Sequence, residues 1–507
     1  MTKKYDVVLF TDMSTKIYPA RPLGAYRLAT ELRQHNLSVL VVNFFSKWMQ
    51  NPHDFENLVR NCVTEKTAVV GFSSTFFSYD SYLKQNINNW QDYFGGGLFH
   101  WPDGNKNKIK LLINRIKKIN SKVKIFYGGA MADKLTDDIR DVGIDYVVQG
   151  LADKSFIESV LRIKDKKTPK FNFKNNLKVI DYDTTGSLFN FPTSLITYDT
   201  SDIVRPGEVL SLETSRGCLF HCAFCAFPLL GRNKNHPDYH KHGEKISLEI
   251  SNNYKLWNVR KYMIVDDTFN ESTQKLQSIY DSIKTSKVDI EFSAYLRLDL
   301  LERFPEQIQL LKDMGLKSAF LGIETLNEQA GKAIGKNSYK VIDCLEKIRD
   351  IWKDDVAIYG SMIAGLPYEN NDTINEWMEW VYNKSHLLDT YVLVPLVINQ
   401  DTTFQSKICQ NPEHYGYRVD QDNKWINNID FTHQEAIELA NQWMDKGWNS
   451  GRLRLSGWDI MGIQNLGYSF KELKQLTLKD INYSDFQKRY SDLVQNYKTD
   501  LINYLHT

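Results

Sequence analysis

Three cysteines, Cys218, Cys222 and Cys225, stand at C-x3-C-x2-C spacing inside Glu213-Thr-Ser-Arg-Gly-Cys-Leu-Phe-His-Cys-Ala-Phe-Cys225. Thiolates this close can hold three irons of a 4Fe-4S cluster, which normally takes four protein thiolates, so one iron is left open. An open metal position is where a substrate or cofactor binds, as catalytic sites differ from closed structural ones. A second chemistry is available to the same residues, because His221, His236, His240 or His242 could complete a Cys3His zinc site. Zinc modules usually come as two close ligand pairs and do not usually open a long run of alternating strand and helix patterns, which favours the cluster.

Six cysteines in 507 residues exclude a disulfide scaffold and point to a reducing compartment. Cys62, Cys344 and Cys409 lie far from the trio and read as buried packing residues. The length allows two to four domains, and 42% hydrophobic residues support real cores. A net charge of +1, with both signs interspersed, gives no electrostatic reason to expect a nucleic-acid or membrane-surface partner. No apolar stretch reaches membrane-span length, and the first residues run into a strand pattern without a signal-peptide core. The expectation is a soluble, cytoplasmic protein. The 13% aromatic content reads as core material first and substrate platforms second.

The elements that position the cysteines fall into three groups. Apolar runs at 5–11, 38–44, 68–73, 123–128 and 146–149, with a helical pattern over 24–34, predict a doubly wound α/β domain over residues 1–163. Its ligands would bind at the carboxyl ends of the strands. Residues 164–208 are poor in apolar runs and read as a linker. Over 209–400, strands are expected at 209–214, 262–266, 290–297, 319–324, 356–364 and 391–398, each pair separated by a helix. Six such units close most of a (β/α) barrel, with the cysteines in the loop after its first strand. Residues 401–507 read as a Trp-rich helical domain covering the open barrel face.

The cysteine spacing, with Phe224 before the last cysteine, resembles the radical S-adenosylmethionine (radical SAM) superfamily and its partial (β/α)6 barrel. The first domain resembles the cobalamin (B12)-binding domain, a Rossmann-like fold, that precedes the barrel in one large subfamily. The similar segments are Pro22-Leu-Gly-Ala-Tyr-Arg-Leu-Ala29, Val70-Gly-Phe-Ser-Ser74, Tyr127-Gly-Gly-Ala130 and Tyr146-Val-Val-Gln-Gly150. The chain departs from that pattern in two places. No Asp-x-His-x-x-Gly motif supplies a lower cobalt ligand, and Gly150-Leu-Ala-Asp-Lys154 replaces an acidic Gly-Glu-Gly-Glu turn. Either cobalamin binds without that histidine, as in many subfamily members, or the domain is kept as a lid. The Gly95-Gly-Gly97 run with His100 and Trp101 reads as a flexible loop or as a ligand edge.

In barrels of this kind reacting groups sit at strand carboxyl ends. The resemblance implies SAM contacts from Asp266 and Asp267 to the amino group, with the alternative that one of the pair only caps the next helix. Arg297 would meet a carboxylate, that of SAM or of Glu324, or form an ordinary barrel salt bridge. Glu324, in Leu321-Gly-Ile-Glu-Thr325, would contact the ribose or amino acid, and Lys336 matches a family position where an exposed lysine is the default. Ile363 and Gly365, in Ser361-Met-Ile-Ala-Gly-Leu-Pro367, would pack on adenine.

The resemblance implies reductive cleavage of SAM at the cluster to methionine and a 5′-deoxyadenosyl radical, which abstracts hydrogen from an unactivated carbon of a small-molecule or peptide substrate. The electron would come from a flavodoxin or ferredoxin. With cobalamin the outcome is methyl transfer; without it, cyclisation, rearrangement or dehydrogenation. A non-catalytic iron-sulfur or zinc module is the competing class. An RNA-directed methylthiotransferase fits less well, since residues 1–160 supply only Cys62 toward a second cluster.

Overall fold

In this computed structural model the described residues are 3–12, 20–73, 90, 103–129, 132, 141–181, 190–225, 239–336, 340–384, 386–399 and 406–507. Seven strands form the first sheet: β1 (Val7–Phe10), β2 (Val39–Val42), β3 (Val69–Ser73), β4 (Lys124–Gly129), β5 (Tyr146–Gln149), β6 (Asn172–Lys174) and β7 (Leu177–Ile180). Their order is β2-β1-β3-β4-β5-β7-β6, parallel except that β6 runs antiparallel to β7. The continuous Val, Leu and Phe runs of β1 to β3 are buried on both faces, as a sheet covered by helices on each side requires. The helix Leu23–Gln34 buries Ala25, Tyr26, Ala29 and Leu32, one face at helical spacing. Part of the segment expected as linker therefore belongs to the sheet. β6 was hidden because its three residues are exposed and pair only along an edge.

Six parallel strands form the second sheet, in sequential order: β8 (Leu210–Leu212), β9 (Lys261–Ile264), β10 (Glu291–Arg297), β11 (Leu316–Glu324), β12 (Ala357–Ala364) and β13 (Thr390–Pro395). This is the expected (β/α)6 partial barrel. The edge strand β13 is covered by the helix His433–Asn449: Tyr391 donates its hydroxyl to the Trp443 carbonyl at 3.0 Å, and the Leu393 N–H reaches the Met444 sulfur at 3.4 Å. An edge blunted in this way cannot recruit another strand.

Register sets the barrel interior. Tyr295, Phe320 and Tyr359 are aligned across β10, β11 and β12, with ring centroids 4.6 and 4.7 Å apart. Trp458, on the helix Gly457–Ile463, lies 4.9 Å from Tyr295, and Met461 of the same helix packs with Val209 and Met263. Just beyond that helix, Asn465 exchanges hydrogen bonds with the Val209 backbone at 2.7 and 3.2 Å, and Lys261 donates to Gln464 at 2.7 Å. The C-terminal region thus closes the amino-terminal end of the barrel with an aromatic floor. Two residues further up the strands, Arg297, Gly322, Ser361 and Val392 form the next aligned row. The last helix, Tyr483–His506, returns to the first domain, where the Tyr497 hydroxyl accepts from the Asn43 N–H at 2.8 Å and Lys498 reaches Asp54 at 3.1 Å.

Candidate active site

The cysteine loop leaves the carboxyl end of β8 and is anchored at both sides. Asp266, fully buried after β9, accepts from the Thr214 N–H (2.7 Å) and hydroxyl (2.5 Å), from the Ser215 N–H (3.0 Å) and hydroxyl (2.7 Å), and pairs with Lys275 at 3.0 Å. Both oxygens are taken. Asp266 is thus a brace for the loop rather than the SAM contact expected of it. On the far side the Ala223 N–H donates to the Ile334 carbonyl and the Ala223 carbonyl accepts from Ile408, both at 2.9 Å.

Cys218 lies 3.2 Å from the Thr268 hydroxyl, and Cys222 accepts from the Arg297 guanidinium at 2.8 Å. Burial pushes the Cys218 thiol up, against the lowering effect of Thr268. Loading a metal there must therefore expel a proton. Arg297 also forms a two-point pair with Asp299 at 3.0 and 2.7 Å and lies 4.1 Å over the Phe220 ring. Burial lowers its basicity, but Asp299 and Cys222 outweigh this and hold it above its ordinary value. The expected Arg297–Glu324 pair is absent, because Asp299, two residues along, takes that fork. Phe224 packs, partly buried, against the main core, beside the cysteines.

Glu324 pairs instead with Lys336 at 3.1 Å, and Lys336 donates to the Gly322 carbonyl at 3.0 Å. Both side chains are below one-tenth exposed, so the default reading of an exposed Lys336 fails. A Cβ on Gly322 would lie 2.7 Å from the Glu324 carboxylate, so only glycine admits the pair there. Glu324 has φ +67° at a register shift, a left-handed conformation that costs an L-residue roughly 1–2 kcal/mol. Such strain is kept where it aims a functional side chain. Asp267 is half-buried and close enough to Tyr295 to help raise its phenol, after burial and Asp459, the larger causes. Ile363 aligns with Val394 one step above the Ser361 row.

Gly365 has a structural reason of its own: its φ is +92°, and a Cβ there would collide with the Trp425 indole, so the C-terminal region makes a close approach at this position. Sequence reasoning also missed Thr268, Lys275 and Asp299. The Arg-x-Asp spacing of Arg297 and Asp299 was the one visible signal. His240 pairs with Glu271, and His236 lies outside the described residues. Among the described residues, no three His, Cys, Asp or Glu side chains converge on a point fit for a single metal ion. A cluster needs no such point, because each thiolate binds a separate iron.

The first domain reaches this loop directly. Arg216 donates to Asp153 at 2.7 and 3.3 Å and to Glu213 at 2.8 and 3.3 Å, while Arg27 meets Glu213 at 2.7 Å. Burial alone would raise the Glu213 carboxyl, but Arg216 and Arg27 outweigh it and hold the group at about 2. Asp153 sits in the turn that departs from the family pattern. The loops carrying Ser74, Gly95-Gly-Gly97, His100, Trp101 and Ala130 lie outside the described residues.

Residues 212–381 match the radical SAM superfamily, and the chain carries a radical SAM domain. An uncharacterized methyltransferase of Pyrococcus horikoshii is 24% identical over 278 residues, 51% of this chain and 57% of that one. The hopanoid C-2 methylase of Rhodopseudomonas palustris is 24% identical over 245 residues, 47% of this chain and 44% of its own. The chain spans about half the length of these curated relatives. The structure of the radical SAM methyltransferase TsrM from Kitasatospora setae, with cobalamin and a [4Fe-4S] cluster bound, aligns over 98% of this chain and 99% of its own, with TM-score 0.60 and 12% identity. The shared fold extends through all three regions. Among the described residues, no helix is long and apolar enough to cross a membrane.

Proposed function

We propose that this protein is a cobalamin-dependent radical SAM enzyme that abstracts hydrogen from an unactivated carbon of a small-molecule or peptide substrate and methylates it. The observation that carries this reading is the cysteine loop itself: three thiols after the first barrel strand, tied through Arg216 to the first domain at Asp153. The donor set fits a 4Fe-4S cluster with one open iron, held by Cys218, Cys222 and Cys225. Bound there, the cluster supplies the electron for reductive cleavage of SAM, and cobalamin in the first domain supplies the methyl carrier. The chain's own residues do the rest. Glu324 offers carboxylate oxygens to the ribose diol or amino acid of SAM, and Asp267 an acceptor to its ammonium. Ile363 lines the adenine side. The floor of Tyr295, Phe320, Tyr359 and Trp458 excludes water from beneath the reacting atoms, as radical chemistry requires.

The test is anaerobic reconstitution and dithionite reduction, followed by incubation with SAM, with and without methylcobalamin. 5′-Deoxyadenosine measured by mass spectrometry, together with the absorption spectrum of bound cobalamin, is the expected result. Deoxyadenosine without bound cobalamin would leave a cobalamin-free radical enzyme. An intact cluster that neither binds nor cleaves SAM would favour a binding module.

A further inference from the structure

Arg297 occupies an unusual electrostatic position. One edge of its guanidinium, Nε and Nη2, is fixed by Asp299, and the remaining nitrogen, Nη1, points at the Cys222 sulfur at 2.8 Å. Phe220 covers its face at 4.1 Å, and the residue is 6% exposed. A donor locked this way in a dry site cannot turn away, so its field on the sulfur is permanent. We propose that Arg297, held by Asp299, sets the reduction potential of the cluster through its hydrogen bond to the Cys222 thiolate. The inference rests on the cluster reading above.

Reduction adds one electron, from an external flavodoxin-type donor, and so one negative charge to the cluster and its thiolates. A cationic N–H on a ligand sulfur stabilises that added charge and raises the potential, as hydrogen bonds to cluster sulfurs do. Asp299 opposes it with the reverse sign. Arg297 is thus a positioning and tuning residue, separate from the groups that meet SAM.

The experiment is an EPR-monitored redox titration of the reconstituted full chain without SAM, comparing the native protein with Arg297→Gln, Arg297→Lys and Asp299→Asn at equal iron and sulfide content. Arg297→Gln should be about tenfold less reduced at a fixed poise well below half-reduction, a shift of about 59 mV to more negative potential for a one-electron couple. Arg297→Lys should fall between. Asp299→Asn should move the opposite way, to less negative potential, and it decides the matter if Arg297→Gln holds no cluster. Cluster-loaded variants with unchanged potentials, or a negative shift in Asp299→Asn, overturn the inference and leave the enzyme reading standing. A native chain that assembles no 4Fe-4S cluster overturns both.

Discussion

Arg216 and Asp153 follow strands of different sheets, yet their side chains form a two-point ion pair, 2.7 and 3.3 Å long, two residues before Cys218. The pair is mostly buried, at 15% and 9% side-chain exposure, and it is shared: Glu213 holds the other side of Arg216 and also Arg27. The turn after β5 is thereby registered against the cysteine loop.

Breaking that registration should be felt. Breaking a buried pair by removing one partner costs about 3–5 kcal/mol when nothing else compensates. Glu213 remains to compensate here, so Asp153→Asn should lose about 1–3 kcal/mol. Chemical denaturation should show this loss, and hydrogen exchange should show earlier opening at the turn after β5. Unchanged exchange there would mean that the pair does not couple the domains.

Cys218→Ala, Cys222→Ala and Cys225→Ala should each abolish the 4Fe-4S signal after reconstitution, since three ligands leave none to spare. A normal signal in any one of them would remove it from the site.

Asp266 and Asp267 are neighbours with different duties, and their variants should separate. Asp266→Asn should impair cluster assembly and stability, because the brace on Thr214, Ser215 and Lys275 is lost. Asp267→Ala and Glu324→Gln should keep the cluster and weaken SAM binding by about 10- to 100-fold, the worth of a hydrogen bond to a charged group. Calorimetry on cluster-loaded protein measures this, and reversed phenotypes would contradict the assignment.

Glu369 is fully buried after β12, accepting from the Thr325 hydroxyl at 2.5 Å and the Leu366 N–H at 3.2 Å. Burial raises its carboxyl from 4.5 to about 8, more than these hydrogen bonds lower it. A raised folded-state value means that the folded chain holds a proton the unfolded chain has released. The contribution is therefore full below about pH 4.5 and is lost as pH climbs through about 8. Glu369→Gln, which mimics the neutral form, should flatten that decline in thermal melts between pH 5 and 8.5. An equally steep decline in the variant would show that another group sets it.

Gly365→Ala should destabilise by more than about 1 kcal/mol from the left-handed backbone alone, with the Trp425 collision added. Denaturant midpoints check this.

The strands that position the site were legible because they are largely apolar and separated by helical spacing, so the barrel sheet, five strands of the first sheet and the cysteine loop could be read from the chain. What escaped depends on direction. Nothing in the types of Asp266 and Asp267 says which carboxylate turns outward toward Thr214, since only the strand's pleat decides. Lys336 looked like a surface lysine because its partner, Glu324, reaches it through a positive φ that side-chain patterning does not encode. The helix Gly457–Ile463 has only seven residues, too few for a clear periodic signal, and its role comes from the barrel it enters. β6 pairs through its backbone while its side chains face solvent.

The floor under the barrel has a consequence in time. Trp458 and Met461 emerge from the ribosome long after Cys218, Cys222 and Cys225, so the cysteine loop is complete while the chamber beneath it is still open. A chain interrupted between Cys225 and Trp458 would carry its three cysteines without the floor that keeps the barrel interior dry.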